Sequence, residues 1–323
     1  MDKRIMVSVI CNAYNHEAYI ADALQSFVDQ KTSFKYEIIV HDDASTDGTA
    51  DIIEEFAKKH PDKIVSLFET ENQYSKKRSI TYEIDLPVTR GKYIAFCEGD
   101  DFWIDTEKLQ RQVDMMESDS DISMCCHANK RINATDKKEI NLMRATIMKD
   151  GFIDHRDCLS ESNFPHLSSI MLRREDYVLM PDMFKGWPVG DYPLRAYCLS
   201  RGKVYYIDRV MSSYRVMSQS SWSKAFRYNM EYRYNANKRM DEFLLMYDEY
   251  TKGAYSDYIA VLIERKDFIT AIFTGHYAEA KNSSLYASCG VAKKTLIGIG
   301  LRFPRLALKM GKVYSHIKNK IRP

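Results

Sequence analysis

The sequence predicts an α/β protein: an open, mostly parallel twisted sheet flanked by helices, followed by a smaller helical region. Three observations carry that expectation. Short apolar, β-branched runs alternate with stretches whose apolar residues recur at helical spacing, which is the pattern of successive βαβ units. Several of those runs stop abruptly in acidic or amide side chains, as strands do where a sheet edge opens to solvent. Beyond about residue 220 the strand pattern gives way to helical spacing alone.

Taken in order, Ile5–Cys11 is a mostly apolar run leading into Asn12-Ala13-Tyr14-Asn15, a buried first strand entering a polar loop. Ile20, Ala23, Leu24, Phe27 and Val28 then share a helical face. The second strand, Tyr36–His41, ends in Asp42-Asp43, and Ser45-Thr46-Asp47-Gly48-Thr49 introduces a helix with the stripe Ile52, Ile53, Phe56 and Ala57. Asp42, Asp43 and Ser45 suit a helix cap and turn as well as a ligand site. Ile64–Phe68 is a third strand, and Gly91 precedes the fourth, Tyr93–Cys97.

After Trp103 a helix carries Leu109, Val113 and Met116, and Ile122–Cys126 reads as a fifth strand. Residues 129–150 are polar and follow no period. Leu167–Leu172 reads as a strand ending in Arg173-Arg174. Gly190-Asp191-Tyr192 opens a helix to about Ser200, where Asp191 suits an N-cap. Lys203–Ile207 and Val210–Val216 read as a closing pair of strands. From Ser221 the aromatic residues Tyr228, Tyr232, Tyr234 and Phe243 fall in helical stretches and suit a core better than a ligand box. The expected division is residues 1–220, a helical extension 221–285, and a basic amphipathic segment 286–323.

Composition is that of a folded protein: 45% hydrophobic and 28% charged residues with no low-complexity tract exclude a disordered or fibrous chain. The net charge of +2 is unevenly spread, because ten Lys and Arg but no Asp or Glu follow Glu279, leaving residues 1–279 at −8. A basic tail with an apolar face, residues 293–323, points to peripheral contact with an anionic membrane or to a docked terminal helix. Nucleic acid is not expected as a partner, since the basic residues lie outside any recognisable binding module. Seven cysteines without a CxxC spacing imply reduced thiols and no zinc site. No apolar run reaches the roughly 18 residues a spanning helix needs, and the N-terminal run reads as a strand and not a signal peptide. Reduced thiols and the basic tail together make the expected location cytoplasmic, at the inner face of the membrane.

The densest signal is Glu98-Gly99-Asp100-Asp101, three carboxylates in four residues directly after the fourth apolar run. Like charges so crowded, beside a glycine that allows close backbone approach, suit a divalent cation shared with phosphate. In an open parallel sheet, ligands bind beyond the carboxyl ends of the strands, so Asp42-Asp43 and Glu98–Asp101 should face one crevice.

Over residues 5–216 these motifs resemble the inverting family 2 glycosyltransferases with a GT-A fold, in particular bacterial members that build surface polysaccharides. Val7–Asn15 is similar to that family's opening strand, which implies that Asn12 and Tyr14 line a nucleotide base pocket. His41–Thr49 resembles its Asp-Asp-Gly-Ser-x-Asp-Gly-Thr segment, implying that Asp43 contacts the base while Asp42 and Asp47 support the loop. Glu98–Asp101 is similar to its Asp-x-Asp-Asp element, with glutamate in the first place. The resemblance implies Mn²⁺ or Mg²⁺ on Asp100 and Asp101, with Glu98 and Asp100 also contacting the sugar nucleotide. Gly190-Asp191 resembles a Glu-Asp pair whose aspartate deprotonates the acceptor, here with glycine first. Tyr214-Arg215-Val216-Met217 is similar to Tyr-Arg-x-His, with methionine at the histidine position. Arg215, with Arg78 and Arg174 as alternatives, would neutralise the leaving diphosphate.

The implied activity is transfer of a sugar from a nucleotide-sugar, UDP-linked by expectation, to a hydroxyl of a glycan or lipid-linked glycan in polysaccharide biosynthesis. Glycoside hydrolysis does not need a cation site directed at a diphosphate. A nucleotidyltransferase would carry a Gly-rich phosphate loop after the first strand, and Asn12–His16 contains no glycine. The remaining alternative is a catalytically lapsed GT-A domain that binds nucleotide-sugar or glycan.

Overall fold

The computed structural model describes residues 4–160, 164–187, 190–216, 229–304 and 306–307. The chain divides into two compact units, Met1–Ser221 and Trp222–Pro323. Ten strands form the sheet of the first unit: β1 (Ile5–Ala13), β2 (Lys35–Asp42), β3 (Ile64–Phe68), β4 (Tyr93–Phe96), β5 (Phe102–Trp103), β6 (Ile122–Asn133), β7 (Glu139–Met143), β8 (Gly151–Ile153), β9 (Met171–Arg173) and β10 (Lys203–Val216). Their order is β3-β2-β1-β4-β9-β6-β10-β5, with β7 on β6 and β8 on β10. Strands β1 to β4 pair in parallel, β9 is antiparallel to both its neighbours, and β10 returns parallel to β6.

The four leading strands form where the apolar runs require burial. Val7, Val9 and Cys11 of β1, Ile38 and Val40 of β2, and Ala95 beside Cys97 all join one core. Helix α1 (Ile20–Val28) closes it with Leu24 and Phe27, and α3 (Lys108–Ser118) with Leu109, Val113 and Met116; α2 (Thr49–Lys59) contributes Ile53. At the opposite edge from the site, the buried Glu37 accepts from Ser8 Oγ at 2.6 Å and from the Arg90 N–H and Nε at 2.7 Å each. That network pins the start of β4 against β1 and β2 and satisfies a charge that burial alone would make costly.

Three elements differ from the sequence reading. Leu167–Ser169 is a 3₁₀ turn and only Met171–Arg173 is a strand, because side chains capture the turn's carbonyls: Trp103 Nε1 donates to Ser168 O at 3.1 Å and Gln112 Nε2 to Ser169 O at 2.9 Å. The unassigned polar stretch contains the end of β6 and the β6–β7 hairpin, whose returning strand is exposed from Glu139 to Leu142 and so shows no apolar alternation. The expected closing pair is one strand, β10, with a bulge between Ile207 and Val210 where its register against β6 shifts.

The second unit pairs α5 (Met230–Tyr250) with α6 (Ser256–Thr274), joined by Asn237 Nδ2 to Thr270 Oγ1 at 2.7 Å and Lys238 Nζ to Asp267 at 2.8 Å. Helices α7 (Tyr277–Asn282) and α8 (Val291–Arg302) complete it. Ile297 and Ala307 are fully buried against Phe268, Ala271, Tyr277 and Ala280, so the start of the expected basic segment is part of this core. Among the described residues, no helix is long and apolar enough to cross a membrane. All seven cysteines are free thiols, six of them buried.

One core residue runs against its chemistry. Lys108 is fully buried, with Nζ 2.6 Å from Gln112 Oε1 and 4.1 Å from the centre of the Trp103 ring. Burial pushes its ammonium down from 10.5 to about 7. The unfolded chain therefore holds this proton up to a higher pH than the folded one. The charge costs stability below pH 7, and that cost is relieved as pH rises from 7 towards 10.5. Stability of the wild type minus that of Lys108→Met should rise between pH 7 and 10 by up to ~1.4 kcal/mol per pH unit. Urea unfolding at several pH values measures it, and a flat difference would show that the buried amine carries no such penalty.

Candidate functional site

The site begins where β1 and β2 end. The Asp43 N–H donates to Ala13 O at 3.0 Å, and Ala44 takes a left-handed conformation with φ 59°, so the chain turns sharply as it leaves the sheet. Asp42 Oδ2 accepts from the Ser45 N–H at 3.1 Å, while Asp47 accepts from the N–H groups of Thr49 and Glu17. Asp43 is buried and its two oxygens accept from the N–H groups of Gln73 and Tyr74, at 2.6 and 3.1 Å. Asp43 thus ties the 72–78 loop to the end of β2. In that loop Arg78 is half-exposed, with Nε 2.7 Å from Glu83 Oε2 and Nη1 3.2 Å from Gln73 Oε1.

Asn12 sits one strand over. Its Nδ2 donates to Thr81 Oγ1 at 3.2 Å, and its Oδ1 is buried without a hydrogen-bond partner among the described residues. Tyr14 stands at the mouth, 38% exposed. Beneath them His41 and Asp85 form a fully buried pair, Nδ1 to Oδ1 2.9 Å. Burial pushes the Asp85 carboxyl up, against the opposing pull of His41. Sequence reading missed this pair, since Asp85 lies in a stretch that resembles a surface helix and is turned inward by the π-helical turn Thr81–Asp85.

The acidic loop follows β4. Its first residues continue the sheet pairing, with Cys97 N–H to Ile10 O at 3.0 Å and Gly99 N–H to Asn12 O at 2.9 Å. A Cβ on Gly99 would lie 2.9 Å from both His16 Nδ1 and Ile20 Cδ1 and 3.1 Å from Ala13 Cβ, so a side chain here would require His16 and Ile20, or the loop itself, to shift. Glu98 is pushed up to about 8, first by burial and then by the charges of Asp100, Asp85 and Asp191. The structure therefore brings Asp191 into the electrostatic reach of the acidic loop. Asp101 is turned inward: it is 1% exposed, its Oδ1 accepts from the Arg215 N–H at 2.8 Å, and its Oδ2 lies 3.9 Å from His166 Nδ1. Burial raises its carboxyl well above the usual range.

Arg215 is equally buried. Its guanidinium donates to the Asp100 carbonyl at 2.8 Å and to the Asp22 carboxylate. The expected role at a diphosphate does not match that placement, because both Nη groups are engaged beneath the loop. Arg174, at the far end of β9, donates to Thr89 Oγ1 at 2.9 Å. His166 stacks on Tyr214 at 4.1 Å, and burial holds its imidazole neutral at about 3.

Asp191 is the first residue of α4 (Asp191–Arg201), and Gly190 occupies the cap position that sequence reading allowed Asp191. The residue is half-buried, and the backbone N–H groups of Asp191 and Tyr192 favour its ionised carboxyl. Burial raises it, opposed by Arg195 one turn along the helix. A raised carboxyl is a stronger base, which suits proton abstraction. Met217 and residues 308–323 lie outside the described residues.

Among the described residues, no group of three or more His, Cys, Asp or Glu could hold a metal ion unaided. Mg²⁺ or Mn²⁺ does not require one, since such ions take one or two carboxylates and complete their shell with phosphate and water. Carboxylate oxygens are the donors such ions prefer, and a cation would offset both the burial and the neighbouring charges of Asp100, Asp85 and Asp191 that raise Glu98, so the donor set fits.

The fold is shared with solved structures. A mannosyltransferase from Pyrobaculum calidifontis, PcManGT in complex with GDP-Man and Mn²⁺, aligns with 98% of this chain and 88% of its own, at a TM-score of 0.56 and 16% identity. That likeness defines a GT-A architecture. Residues 8–178 match Glycosyl transferase family 2, and the chain belongs to that family. Among relatives, Rv1520 of Mycobacterium tuberculosis is 29% identical over 224 residues, 68% of this chain and 61% of that protein. The Escherichia coli enzyme WfaP, a UDP-Glc:α-D-GlcNAc-diphosphoundecaprenol β-1,3-glucosyltransferase, is 36% identical over 114 residues, 35% of this chain and 42% of its own. The chain thus spans less than two thirds of the length of these relatives.

Because Gly99 is held between α1 and the end of β1, Gly99→Ala should displace the acidic loop and cost about 1–3 kcal/mol. Chemical denaturation of the variant tests this; unchanged stability would mean the loop moves freely enough to absorb a methyl group.

Proposed function

We propose that this protein is an inverting glycosyltransferase that moves a sugar from a UDP-linked donor to a hydroxyl of a glycan or lipid-linked glycan during polysaccharide synthesis. The observation that carries the reading is the convergence of Glu98, Asp100 and Asp191 beyond the carboxyl ends of parallel strands, in a chain of this family. Asn12, Tyr14 and the Asp43-anchored loop with Arg78 follow the ends of the neighbouring strands β1 and β2 and would receive the nucleotide. The relatives' names support the substrate class: WfaP uses UDP-Glc and a diphosphoundecaprenol-linked acceptor.

Asp100, with Glu98 beside it, would hold Mn²⁺ or Mg²⁺, as the Mn²⁺ in the PcManGT complex suggests. Asp101 supports the loop from within. The cation, when bound, neutralises charge developing on the departing diphosphate. Asp191 accepts the proton of the acceptor hydroxyl on its carboxylate as the hydroxyl oxygen attacks the anomeric carbon. Attack opposite the leaving group inverts that centre. A raised carboxyl close to the acceptor makes the hydroxyl a competent nucleophile at neutral pH.

Incubation with Mn²⁺ and a panel of UDP-, GDP- and dTDP-sugars, with and without lipid-linked acceptors, should release nucleoside diphosphate from a UDP-sugar. Asp191→Asn should still bind donor but transfer about 10²–10⁴-fold more slowly. Donor binding with no release from any sugar would identify a lapsed binding domain instead, and full activity in Asp191→Asn would remove it as the base.

For the acceptor's location we propose peripheral contact with an anionic membrane. Val291, Leu301, Phe303 and Leu306 are exposed at 81%, 42%, 62% and 52%, amid Lys293, Lys294 and Arg302. Apolar side chains between basic ones are the pattern of an interfacial helix. The full chain should float with vesicles rich in phosphatidylglycerol, and Val291→Ser combined with Phe303→Ser should weaken that binding. Equal flotation of both proteins would remove the proposal.

A further inference from the structure

Arg215 reaches the acidic loop from below through three separate attachments. Its backbone N–H donates to Asp101 Oδ1 at 2.8 Å, its Nη1 donates to the Asp100 carbonyl at 2.8 Å, and its Nη2 donates to Asp22 of α1. The guanidinium is packed 4.4 Å from the centre of the Phe102 ring and 5.3 Å from that of Tyr19. With 1% of the residue exposed, none of this faces the crevice. Asp22, by contrast, is an ordinary half-exposed helix residue that also lies 3.7 Å from Lys137 Nζ.

We infer that Asp22 and Arg215 form a clamp that positions Asp100, with Arg215 acting as a positioning residue and not as a partner of the leaving diphosphate. The inference rests on the proposed donor site at Asp100. Glu98, Asp100 and Asp101 repel one another, and a loop of such residues relaxes outward unless something fixes its backbone. Holding the Asp100 carbonyl fixes the peptide plane between residues 100 and 101, and with it the direction in which the Asp100 side chain leaves the chain. Holding Asp101 by a backbone N–H of the same arginine fixes the next residue relative to β10. A guanidinium is a rigid planar fork, so placing Nη2 on Asp22 dictates where Nη1 meets the carbonyl. Asp22 is therefore the anchor: it sets the angle of the fork and supplies the countercharge that a buried guanidinium needs. A lysine at 215 would keep the charge but lose the two-point geometry.

Hydrogen exchange of the full chain without ligand tests the clamp itself. In Asp22→Ala the amides of residues 98–103 should exchange about tenfold faster or more, with the strands β1 to β3 unchanged. Titration with Mn²⁺ and UDP tests its purpose: affinity should fall about 10- to 100-fold in Asp22→Ala, and Arg215→Lys should not restore it. Unchanged exchange in 98–103, exchange raised evenly through the unit, or raised exchange with wild-type Mn²⁺·UDP affinity would each overturn the positioning role. Should Arg215→Lys not fold, Asp22→Ala alone decides, since Asp22 lies half-exposed on α1. A wild-type protein that takes up no Mn²⁺·UDP would count against the transferase reading, while the exchange comparison still decides whether the clamp exists.

Discussion

Three carboxylates in four residues at the end of a buried strand set the terms for what surrounds them. Two unit charges 4 Å apart repel by about 4 kcal/mol at an effective dielectric of 20, so such a loop does not hold its shape unaided. The structure offsets the repulsion in different ways at each position. Glu98 is raised to about 8, which shifts it towards the neutral form at physiological pH. Asp101 receives a backbone N–H and is turned away from solvent. Asp100 keeps an inward-held carbonyl and a partly exposed side chain. The result is a loop whose residual negative charge faces one direction.

That direction is set by the sheet. With the order β3-β2-β1-β4, the chain reverses its direction of spread between β1 and β4, and parallel sheets open a crevice at such a point. Asn12 and Glu98 leave the sheet on either side of it, bridged by the Gly99 N–H to Asn12 O. The antiparallel insertion of β9 follows on the other side of β4, and α4 comes after it, opening with Asp191, whose charge is felt at Glu98. Local propensity forms the strands; their order gathers the carboxylates.

Legibility followed the same division. Strands β1, β2 and β4 were readable because they are buried on both faces over most of their length and appear as mostly apolar runs ending in polar residues, whereas the more exposed β3 is short but keeps its apolar, β-branched start. The hairpin at 129–143 was not readable, because one of its strands faces solvent almost throughout. Asp43, Glu98, Asp100 and Asp191 could be named from motif and position, since each follows a recognisable element boundary. The His41–Asp85 pair and the Asp22–Arg215 contact could not, spanning 44 and 193 residues with no local pattern at either end. Arg215 shows the limit most clearly: its residue type suggested a phosphate partner, whereas packing against Phe102 and Tyr19 turned it into part of the loop's support.

The glycine at 190 bears on how the proposed base is tuned. Gly190 has φ −63°, and nothing among the described residues lies within 4 Å of where a Cβ would sit, so neither its backbone nor the described packing demands glycine there. The influences on Asp191 come from elsewhere: burial raises its carboxyl, while Arg195 and the first N–H groups of α4 restrain it. Its charge is also felt at Glu98, across the crevice. A carboxylate at 190 would add a further like charge beside this balance and push Asp191 higher still. Burial, which makes the carboxyl more basic, and Arg195, which favours its ionised form, thus act on the proposed base in opposite senses without any contribution from residue 190.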